Sequence, residues 1–348
     1  MKNKRLKHIS LSILLIFSLS IFMGCSKNNK DSSPLSRTET LMGTVVKVTL
    51  YDNKDSNILD KAFDRVREIE QSVSINTSGT ILDKVNESSG VEPVVVDEDT
   101  FKIVESGVKY SELSNGLFDI TIGPLVKLWS IGLPEARVPS QEEIEGVLGY
   151  INYNDVVLNK EDNSIFLKNP NMLIDLGGIA KGYTADEISE VLTENNVTSA
   201  IIDLGGNVYV HGTKPTGENW NIGIQNPLST RGDSLGTIKV NNKSIVTSGT
   251  YERFIEKDGV KYHHILNPKT GYPYENNISG ISIISDKSID GDALSTSVFA
   301  MGVEEGLAFV ESQPDIDAIF VTNDKKIYLS SGMKDLFKLT NTEFTIAN

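Results

Sequence analysis

The sequence predicts an α+β fold, and three segments carry that prediction. Residues 43–51 alternate apolar and polar side chains, which is the pattern of a half-buried strand. From Ile58 to Val73, apolar residues recur three and four positions apart after Asp55 and Ser56, which indicates an amphipathic helix with a polar start. From Val156 onward, short apolar runs alternate with turns. Such a mixture of strands and helices is typical of α+β domains.

The remaining elements are predicted from the same patterns. A second helix runs from an N-cap at Asp97 to Gly116, and a third covers residues 181–195 between apolar runs at 172–176 and 200–204. Further strands are predicted at 220–225, 235–240 and 278–285. No linker, charge block or repeat divides the chain after about residue 36. We therefore expect a single compact domain of mixed sheets with packed helices, with a division into two lobes as the alternative.

The overall charge limits the class of partner. The chain has 348 residues, and its 33 basic and 47 acidic side chains give a formal net charge of −14. Because that charge repels a phosphodiester backbone, the sequence predicts no nucleic-acid partner. It leaves room for one locally basic pocket that holds a single nucleotide.

The first residues have the organisation of an export signal. A basic cluster precedes an apolar run at 9–23, which is too short and too rich in serine to favour a permanent transmembrane helix. The segment FMGC then resembles a bacterial lipobox, with Phe22 in place of the usual Leu. We predict a lipoprotein signal peptide at 1–24, a flexible tether at 25–36 and the globular domain at 37–348.

Cys25 is the predicted site of lipidation, and a free or buried thiol is the alternative. It is the only cysteine in the chain, so no internal disulfide is expected. Lipidation there would anchor an exported protein to the cell membrane, on its extracytoplasmic side.

The segment DLGGIAKG, residues 175–182, is a candidate anion-binding turn. Its two adjacent glycines precede a predicted helix, so backbone N–H groups, the helix N-terminus and Lys181 would all present positive charge to a ligand such as a diphosphate. The segment matches neither of the common glycine-rich nucleotide motifs, and a tight structural turn is an equal alternative. The tetrapeptide DLGG recurs at 203–206, which a shared turn geometry explains.

Asp292 and Thr296 form a candidate metal site. They stand four residues apart in a segment with helical apolar spacing, so both side chains would face one side. A carboxylate and a hydroxyl are hard oxygen ligands that suit Mg²⁺. For the isolated pair, an N-cap and a solvated Thr is the alternative.

His263 and His264 lie between a predicted strand and a turn. A histidine in such a position can act as a general base near neutral pH, although a purely structural role is the common alternative. The sequence contains no Cys or His cluster for zinc and no nucleophile motif for acyl transfer.

Taken together, these segments resemble the ApbE family of FAD:protein FMN transferases. Seven motifs occur in the family's order between Met42 and Gly302: MGT, GLFDITIGPLVKLW, DLGGIAKGYTAD, DLGGN, TSGTYERF, HHILNPKTGYP and DALSTSVFAMG. Seven motifs in order are not expected by chance. The resemblance therefore implies an ApbE-like domain.

The resemblance also implies roles for individual residues. His264 would be the base toward the acceptor hydroxyl, and the carbonyl of Gly178, with Asp292 and Thr296, would hold Mg²⁺. Asp292 would thus be both a metal ligand and a catalytic residue. The residues that would contact FAD are Met42, Asn76, Leu117, Phe118, Asp119, Asp175, Lys181, Ser248 and Ile265.

The implied reaction is the Mg²⁺-dependent transfer of the FMN moiety of FAD, the substrate, onto a Thr or Ser hydroxyl of an exported or membrane redox protein, with release of AMP. The acceptor would be a flavoprotein subunit with a Thr/Ser flavinylation motif. Asn267 replaces the Asp of many relatives, and Asn76 replaces an aromatic residue over the flavin. A smaller side chain at Asn76 would expose FAD to water, so an FAD diphosphatase is one alternative. A non-catalytic surface lipoprotein that binds flavin is another.

Overall fold

The structure is a computed structural model that describes residues 33–75 and 77–348. The predicted signal peptide, Cys25 and Asn76 lie outside the described residues. The first strand begins at Leu35, so the last two residues of the tether predicted at 25–36 belong to a sheet. Pro34–Asn348 form one compact unit.

Helices and strands are mixed along the described chain, and the predicted α+β class is confirmed. The helices are α1 (Ser56–Val73), α2 (Ile81–Glu87), α3 (Glu98–Leu113), α4 (Gly123–Trp129), α5 (Gln141–Leu148), α6 (Ala180–Glu194) and α7 (Ser288–Ser312). The strands are β1 (Leu35–Leu41), β2 (Thr44–Leu50), β3 (Val94–Val95), β4 (Val156–Asn159), β5 (Ser164–Leu167), β6 (Ser199–Leu204), β7 (Asn207–Gly212), β8 (Trp220–Gln225), β9 (Ser234–Val240), β10 (Lys243–Gly249), β11 (Phe254–Lys257), β12 (Val260–His263), β13 (Ile278–Ser285), β14 (Asp317–Thr322), β15 (Lys326–Leu329), β16 (Phe337–Leu339) and β17 (Thr345–Ile346).

A large sheet forms the centre of the fold. Its nine strands lie in the order β1-β2-β6-β7-β10-β13-β14-β15-β17, and neighbours are antiparallel except for the pair β15 and β17. Three small sheets accompany it: β16-β9-β8, β3-β5-β4 and the hairpin β11-β12. Three neighbouring pairs, β1-β2, β6-β7 and β14-β15, are hairpins of consecutive strands, whereas β2-β6, β7-β10, β10-β13 and β15-β17 join strands that are not consecutive, and helix α7 connects β13 to β14.

Both faces of the central sheet are covered. All eight residues of β13 are buried. Ile281 and Ile283 belong to the core that contains residues of α3 and α7, whereas Ile284 belongs to the core shared with β8 and β9. Because successive strand residues point to opposite faces, helices cover one face and the small sheet β16-β9-β8 covers the other.

The local predictions succeed where a pattern is long. The helix predicted at 58–73 is α1, and Asp55 caps it by accepting a hydrogen bond from the backbone N–H of Asn57. The strands predicted at 220–225 and 278–285 are β8 and β13. The apolar run at 172–176 suggests a strand, but the structure has none there. Leu173 makes only an isolated bridge to Ile122. The short helices α2, α4 and α5 were not predicted.

Helix α7 has the length and hydropathy of a membrane span, but it packs as a core helix. Apolar residues of its first half, including Leu294, Val298 and Phe299, lie in the main hydrophobic core. The backbone leaves the helical conformation at Gly302, where φ is 80°. The freed carbonyl of Phe299 accepts a hydrogen bond from Asn276 Nδ2 at 2.7 Å. The kink therefore leaves a satisfied carbonyl group, and beyond it Gly306 and Val310 are buried again.

Helices α6 and α7 approach each other very closely at Gly182. A Cβ atom on this residue would lie 2.4 Å from the carbonyl oxygen of Ser288 and 2.7 Å from the Cα of Ile289. Asp186, one turn further along α6, accepts hydrogen bonds from the backbone N–H groups of Ser288 at 2.7 Å and Ile289 at 2.9 Å. Burial raises the pKa of Asp186 to about 6. This carboxyl group thus fixes the start of α7 on α6.

We predict that Gly182→Ala destabilises the fold, because the new methyl group meets backbone atoms that cannot rotate away. The free energy of unfolding should fall by about 1–3 kcal/mol, read from the midpoint of urea unfolding. Gly146→Ala in α5 is the matched control, since nothing lies within 4 Å of the added carbon and its φ is not left-handed. That control should be stabilised by about 0.5–1 kcal/mol. Equal midpoints for the two variants would contradict the proposed close contact.

Candidate active site

The glycine turn at residues 175–178 is held by hydrogen bonds at both ends. The backbone N–H of Asp175 donates to the Ile120 carbonyl at 2.8 Å, and Asp175 Oδ1 accepts from the N–H of Gly177 at 2.6 Å. Burial raises the pKa of the Asp175 carboxyl group, and the nearby Lys181 opposes that rise. Lys181 Nζ donates to the Gly177 carbonyl at 3.0 Å. These hydrogen bonds fix the conformation of the turn. The ammonium group of Lys181 lies across it.

Asp292 lies on α7 against this turn, and one of its oxygens has an ion-pair partner, Lys181, but no hydrogen bond. It is 4% exposed, and Oδ2 accepts a hydrogen bond from the backbone N–H of Gly182 at 2.8 Å. Oδ1 lies 3.6 Å from Lys181 Nζ, beyond hydrogen-bonding distance. Within the described chain, Oδ1 has no hydrogen-bond donor. An oxygen that is ion-paired at 3.6 Å without a hydrogen bond keeps its lone pairs available, so this atom is suited to a ligand.

Thr296 lies one turn along α7 and also faces the glycine turn. Its hydroxyl has no hydrogen-bond partner among residues 33–75 and 77–348. Thr296 Oγ1 lies 3.7 Å from the position that a Cβ on Gly178 would take, and Phe118 Cε2 lies 3.0 Å from that position. The lack of a side chain at Gly178 thus keeps a space open between the turn and the hydroxyl.

These groups fit a hard divalent cation. The carboxylate of Asp292, the hydroxyl of Thr296 and the backbone of Gly178 provide only oxygen donors, the kind that Mg²⁺ prefers. Two of the donor atoms have no hydrogen bond to satisfy them. In the part of the chain that is described, no cluster of three or more His, Cys, Asp or Glu side chains offers a rival metal site. A cation held here would take its remaining ligands from water and a bound anion.

His264 is oriented by the residue that precedes β11. Its backbone N–H donates to the Arg253 carbonyl at 3.1 Å, and its Nδ1 lies 3.3 Å from the same oxygen. A carbonyl oxygen can only accept, so Nδ1 carries the proton and Nε2 is the basic nitrogen. Burial, together with the positive charges of Arg253 and Lys181, lowers the pKa of His264 to about 4. The imidazole is therefore neutral and able to accept a proton at pH 7.

The neighbouring His263 is structural. It is buried, its Nε2 pairs with the Tyr274 carbonyl at 2.9 Å, and its ring meets the edge of Phe299 at a centroid distance of 5.7 Å. Burial lowers the pKa of His263 as well. Of the two histidines, only His264 can present a free nitrogen.

The hairpin β11-β12 carries His264 at its base and packs on a small separate core. Tyr262 of β12 contacts Trp129, with ring centroids 5.5 Å apart. Trp129 in turn donates from Nε1 to the Gly271 carbonyl at 2.8 Å, in the turn that follows His264. Leu125 and Ile144 complete this core. His264 is thus positioned by a cluster different from the one that holds Asp292.

Two residues predicted to contact FAD, Ile265 and Asp119, have side chains that are buried or hydrogen-bonded within the protein. Ile265 is 4% exposed and belongs to the main core. Asp119 is 5% exposed; its Oδ1 accepts from the backbone and hydroxyl of Thr121 at 2.8 and 2.6 Å, and its Oδ2 accepts from the N–H of Tyr153 at 3.1 Å. These side chains organise the loops around the turn. Their direct contact with FAD stays a prediction.

The other predicted contacts lie around the turn. Met42 has a left-handed φ of 52° between β1 and β2, and its sulfur accepts a hydrogen bond from the Thr184 hydroxyl of α6 at 3.3 Å. Leu117 offers its carbonyl to the Tyr274 hydroxyl at 2.8 Å. Ser248 and Ser295 pair through their hydroxyl oxygens at 2.8 Å. Met42 and Ser248 therefore contact the two helices that form the site, α6 and α7.

Sequence reasoning missed three charged residues near the site: Arg231, Glu252 and Arg253. The carboxyl group of Glu252 lies in the field of Lys181, Arg231 and Arg253, and also of Asp292, although burial has the larger effect and raises its pKa. Two of the three belong to the motif TSGTYERF, which supported the resemblance without being examined for charge. The signal available was an Arg directly after a Glu inside that motif.

Comparison with known proteins identifies the family. The model of the ApbE family matches residues 42–320, and the chain belongs to that family. A relative from Klebsiella pneumoniae, named FAD:protein FMN transferase, is 36% identical over 316 residues, which cover 91% of this chain and 98% of the relative. A relative of the same name from Treponema pallidum is 34% identical and covers 89% of this chain and 91% of its own length.

Solved structures agree with the family and the fold. The crystal structure of the ApbE protein from Thermotoga maritima has a TM-score of 0.80 and 31% identity, over 87% of this chain and 99% of that one. The flavin transferase ApbE from Vibrio cholerae has a TM-score of 0.78 and 26% identity over the same shares. The expected ApbE-like fold is therefore confirmed.

We predict that His264 titrates well below an ordinary histidine. Its ring resonances, followed by NMR and assigned with a His264→Gln variant, should show a midpoint near pH 4. Because the unfolded chain binds this proton at about pH 6.5, stability should fall as the pH drops from 6.5 toward 4. That loss should be smaller in His264→Gln. A midpoint between 6 and 7 would contradict the desolvated position of the ring.

Proposed function

We propose that this protein transfers the FMN moiety of FAD to the hydroxyl of a Thr or Ser residue in an acceptor protein, and releases AMP. The observation that carries the proposal is the convergence of Gly178, Lys181, Asp292 and Thr296 in a chain that is 36% identical to a named FAD:protein FMN transferase. A metal-binding and cationic turn of this kind suits a diphosphate substrate.

The proposed metal site consists of the Gly178 carbonyl, Asp292 and Thr296. Mg²⁺ bound there would neutralise negative charge on the phosphate oxygens of the substrate. The support is that Oδ1 of Asp292, ion-paired with Lys181 at 3.6 Å, accepts no hydrogen bond, and that the hydroxyl of Thr296 has no hydrogen-bond partner among the described residues. Both atoms gain a partner when a cation binds.

Lys181 and the start of α6 are proposed to bind the diphosphate. Ile179, the N-cap residue of α6, provides no side-chain hydrogen bond to the first turn. The N–H groups of Ala180 and Gly182 in the first turn donate to the Leu176 carbonyl and to Asp292 Oδ2, so the start of α6 offers an anion the positive end of its dipole, beside an ammonium group that lies 3.0 Å from the Gly177 carbonyl. Both features favour an anion in the space between α6 and α7.

His264 is proposed to be the general base. Its Nε2 would take the proton of the acceptor hydroxyl while the oxygen bonds to the FMN-side phosphorus and the bond from that phosphorus to the bridging oxygen breaks. AMP leaves with the electrons of that bond. A base of this kind contributes about 10²- to 10⁴-fold to the rate. The hydrogen bond from Nδ1 to the Arg253 carbonyl supports this role, because it leaves Nε2 unprotonated.

We further propose that the protein is exported and held at the membrane by a lipid on Cys25, and that its acceptor is a flavoprotein subunit facing the same side. The support is the order of basic cluster, apolar run and FMGC segment in the sequence. Labelled palmitate should enter the wild-type protein and not Cys25→Ser. Equal labelling of both proteins would contradict the anchor.

We predict that Asp292→Ala loses more activity than His264→Ala. Loss of the metal site should remove nearly all turnover, whereas loss of the base should cost about 10²- to 10⁴-fold. The measurement is FMN-labelled acceptor, by flavin fluorescence and mass spectrometry, with FAD and saturating Mg²⁺. Equal residual rates would contradict the ranking.

We predict that Thr296→Val raises the Mg²⁺ concentration needed for half-maximal activity by about tenfold, because one hard ligand is replaced by a methyl group of the same shape. Thr193→Val, an exposed change on α6 whose hydroxyl bonds only to the Ser189 carbonyl, is the control and should not change it. An unchanged Mg²⁺ dependence in Thr296→Val would exclude the hydroxyl from the site.

Assays that leave out the acceptor protein or Mg²⁺ distinguish the transferase from an FAD diphosphatase and from a flavin-binding lipoprotein. AMP release from FAD and Mg²⁺ without an acceptor would identify an FAD diphosphatase. FAD binding that survives the removal of Mg²⁺, with neither AMP nor FMN-labelled protein formed, would identify a flavin-binding lipoprotein. Labelled acceptor with little AMP in its absence is the outcome that the transferase predicts.

A further inference from the structure

Two arginines of the described chain, Arg231 and Arg253, differ from the others because they form no ion pair with a carboxylate. Four arginine side chains of the described chain form ion pairs: Arg37 with Asp60, Arg65 with Asp99 and Glu187, Arg67 with Glu39 and Asp64, and Arg137 with Glu143. The guanidinium groups of Arg231 and Arg253 have no carboxylate oxygen within 4.0 Å among residues 33–75 and 77–348. In a chain with a net charge of −14, two unpaired arginines are an exception that calls for an anion from outside.

Both unpaired arginines lie beside glycines. Arg231 Nη2 is 3.3 Å from the position that a Cβ on Gly206 would take, so it lies over the second DLGG turn. Arg253 Cδ is 3.0 Å from the corresponding position on Gly132, whose φ is 94°. A side chain at either glycine would move the arginine beside it. The backbone thus leaves the space in which each guanidinium lies.

The backbone carbonyl of Arg253 bonds to His264, and the charges of both arginines act on groups of the candidate active site. Glu252 is under the influence of Lys181, Arg231 and Arg253 together, and the two arginines therefore lie near one carboxyl group. Arg253 also acts on Asp175 of the glycine turn and on His264. The carboxyl groups closest in effect to the two guanidinium groups are those of Asp175, Glu252 and Asp292. None of them forms an ion pair with Arg231 or Arg253 within the described residues.

We propose that Arg231 and Arg253 bind the diphosphate of FAD, with Arg253 on the phosphate that His264 serves and Arg231 on the AMP-side phosphate. This inference rests on the proposed function. A guanidinium group offers a planar pair of N–H donors that matches two phosphate oxygens, and it stays charged at every relevant pH. The carbonyl of Arg253 orients His264, so its side chain starts beside the base. Arg231 belongs to the loop between β8 and β9, and its Nη2 lies over the second glycine turn.

The proposed positions give the two residues different kinetic signatures. Arg253 would stabilise charge that grows on the attacked phosphate, so its loss should lower kcat. Arg231 would hold the part of the substrate that becomes AMP, so its loss should mainly raise KM for FAD. A charged hydrogen bond of this kind corresponds to a change of about ten- to a hundredfold.

The test compares Arg253→Met and Arg231→Met with Lys257→Met. Lys257 lies near the tip of the same hairpin as Arg253 and forms no ion pair within the described residues, so its replacement removes equal charge at a distance from the site. Equilibrium titration with FAD and with riboflavin, which has no phosphate, separates phosphate binding from flavin binding. Arg231→Met should bind FAD about tenfold or more weakly, Arg253→Met should bind FAD more weakly by a smaller factor because its loss falls mainly on kcat, and both should bind riboflavin as the wild type does. Lys257→Met should match the wild type in both.

Activity measurements complete the test. Arg253→Met should lose at least about tenfold in kcat and regain part of it with added guanidinium ion, which a merely structural role would not produce. Arg253→Lys should keep more activity than Arg253→Met if the charge matters, and it remains informative if the Met variant does not fold. FAD affinity and kcat equal to the wild type in both arginine variants would overturn the inference. A wild-type protein that forms neither AMP nor FMN-labelled acceptor would instead overturn the proposed function.

Discussion

The hydrogen bond from the backbone N–H of Gly182 to the carboxylate of Asp292 is the interaction on which the site depends. It joins the first turn of α6 to α7 at the point where the two helices are closest. A carboxylate that is 4% exposed needs such a partner, because desolvation of an unpaired charge is costly. The same contact leaves the second oxygen of Asp292 without a hydrogen bond and brings Thr296 opposite Gly178. The close packing of α6 and α7 therefore places the oxygen atoms of Asp292, Thr296 and Gly178 around one space.

Much of the secondary structure could be predicted from the sequence, because it is encoded in local patterns. The long apolar periodicity of α1 and the polar cap at Asp55 are such patterns, and so is the uninterrupted apolar character of β13. The helices α2, α4 and α5 have only seven or eight residues, so their periodicity is too short to recognise. Met172, Ile174 and Leu176 are apolar because they lie in the core. An irregular buried segment and a short buried strand have the same local sequence pattern. The strand order depends on contacts between distant segments, which no local pattern contains.

The site was predictable in parts. The spacing of Asp292 and Thr296 indicated that both face one side of a helix, but only the resemblance to the ApbE family connected them with Gly178 and with His264. The distinction between the two histidines required the structure, since it depends on the Tyr274 carbonyl that occupies His263. Arg231 and Arg253 were overlooked because their significance lies in having no partner, and the absence of an ion pair cannot be read from residue order.

The proposed base and the proposed oxygen ligands belong to different parts of the molecule. His264 follows a hairpin that packs on Trp129 and its small core, whereas Asp292 and Thr296 lie in the main core with α6 and α7. Damage that loosens the Trp129 cluster should therefore leave the nucleotide in place while the imidazole drifts out of reach of the incoming alcohol. Inherited or engineered changes in that distant aromatic cluster would then produce a slow enzyme that still retains its flavin.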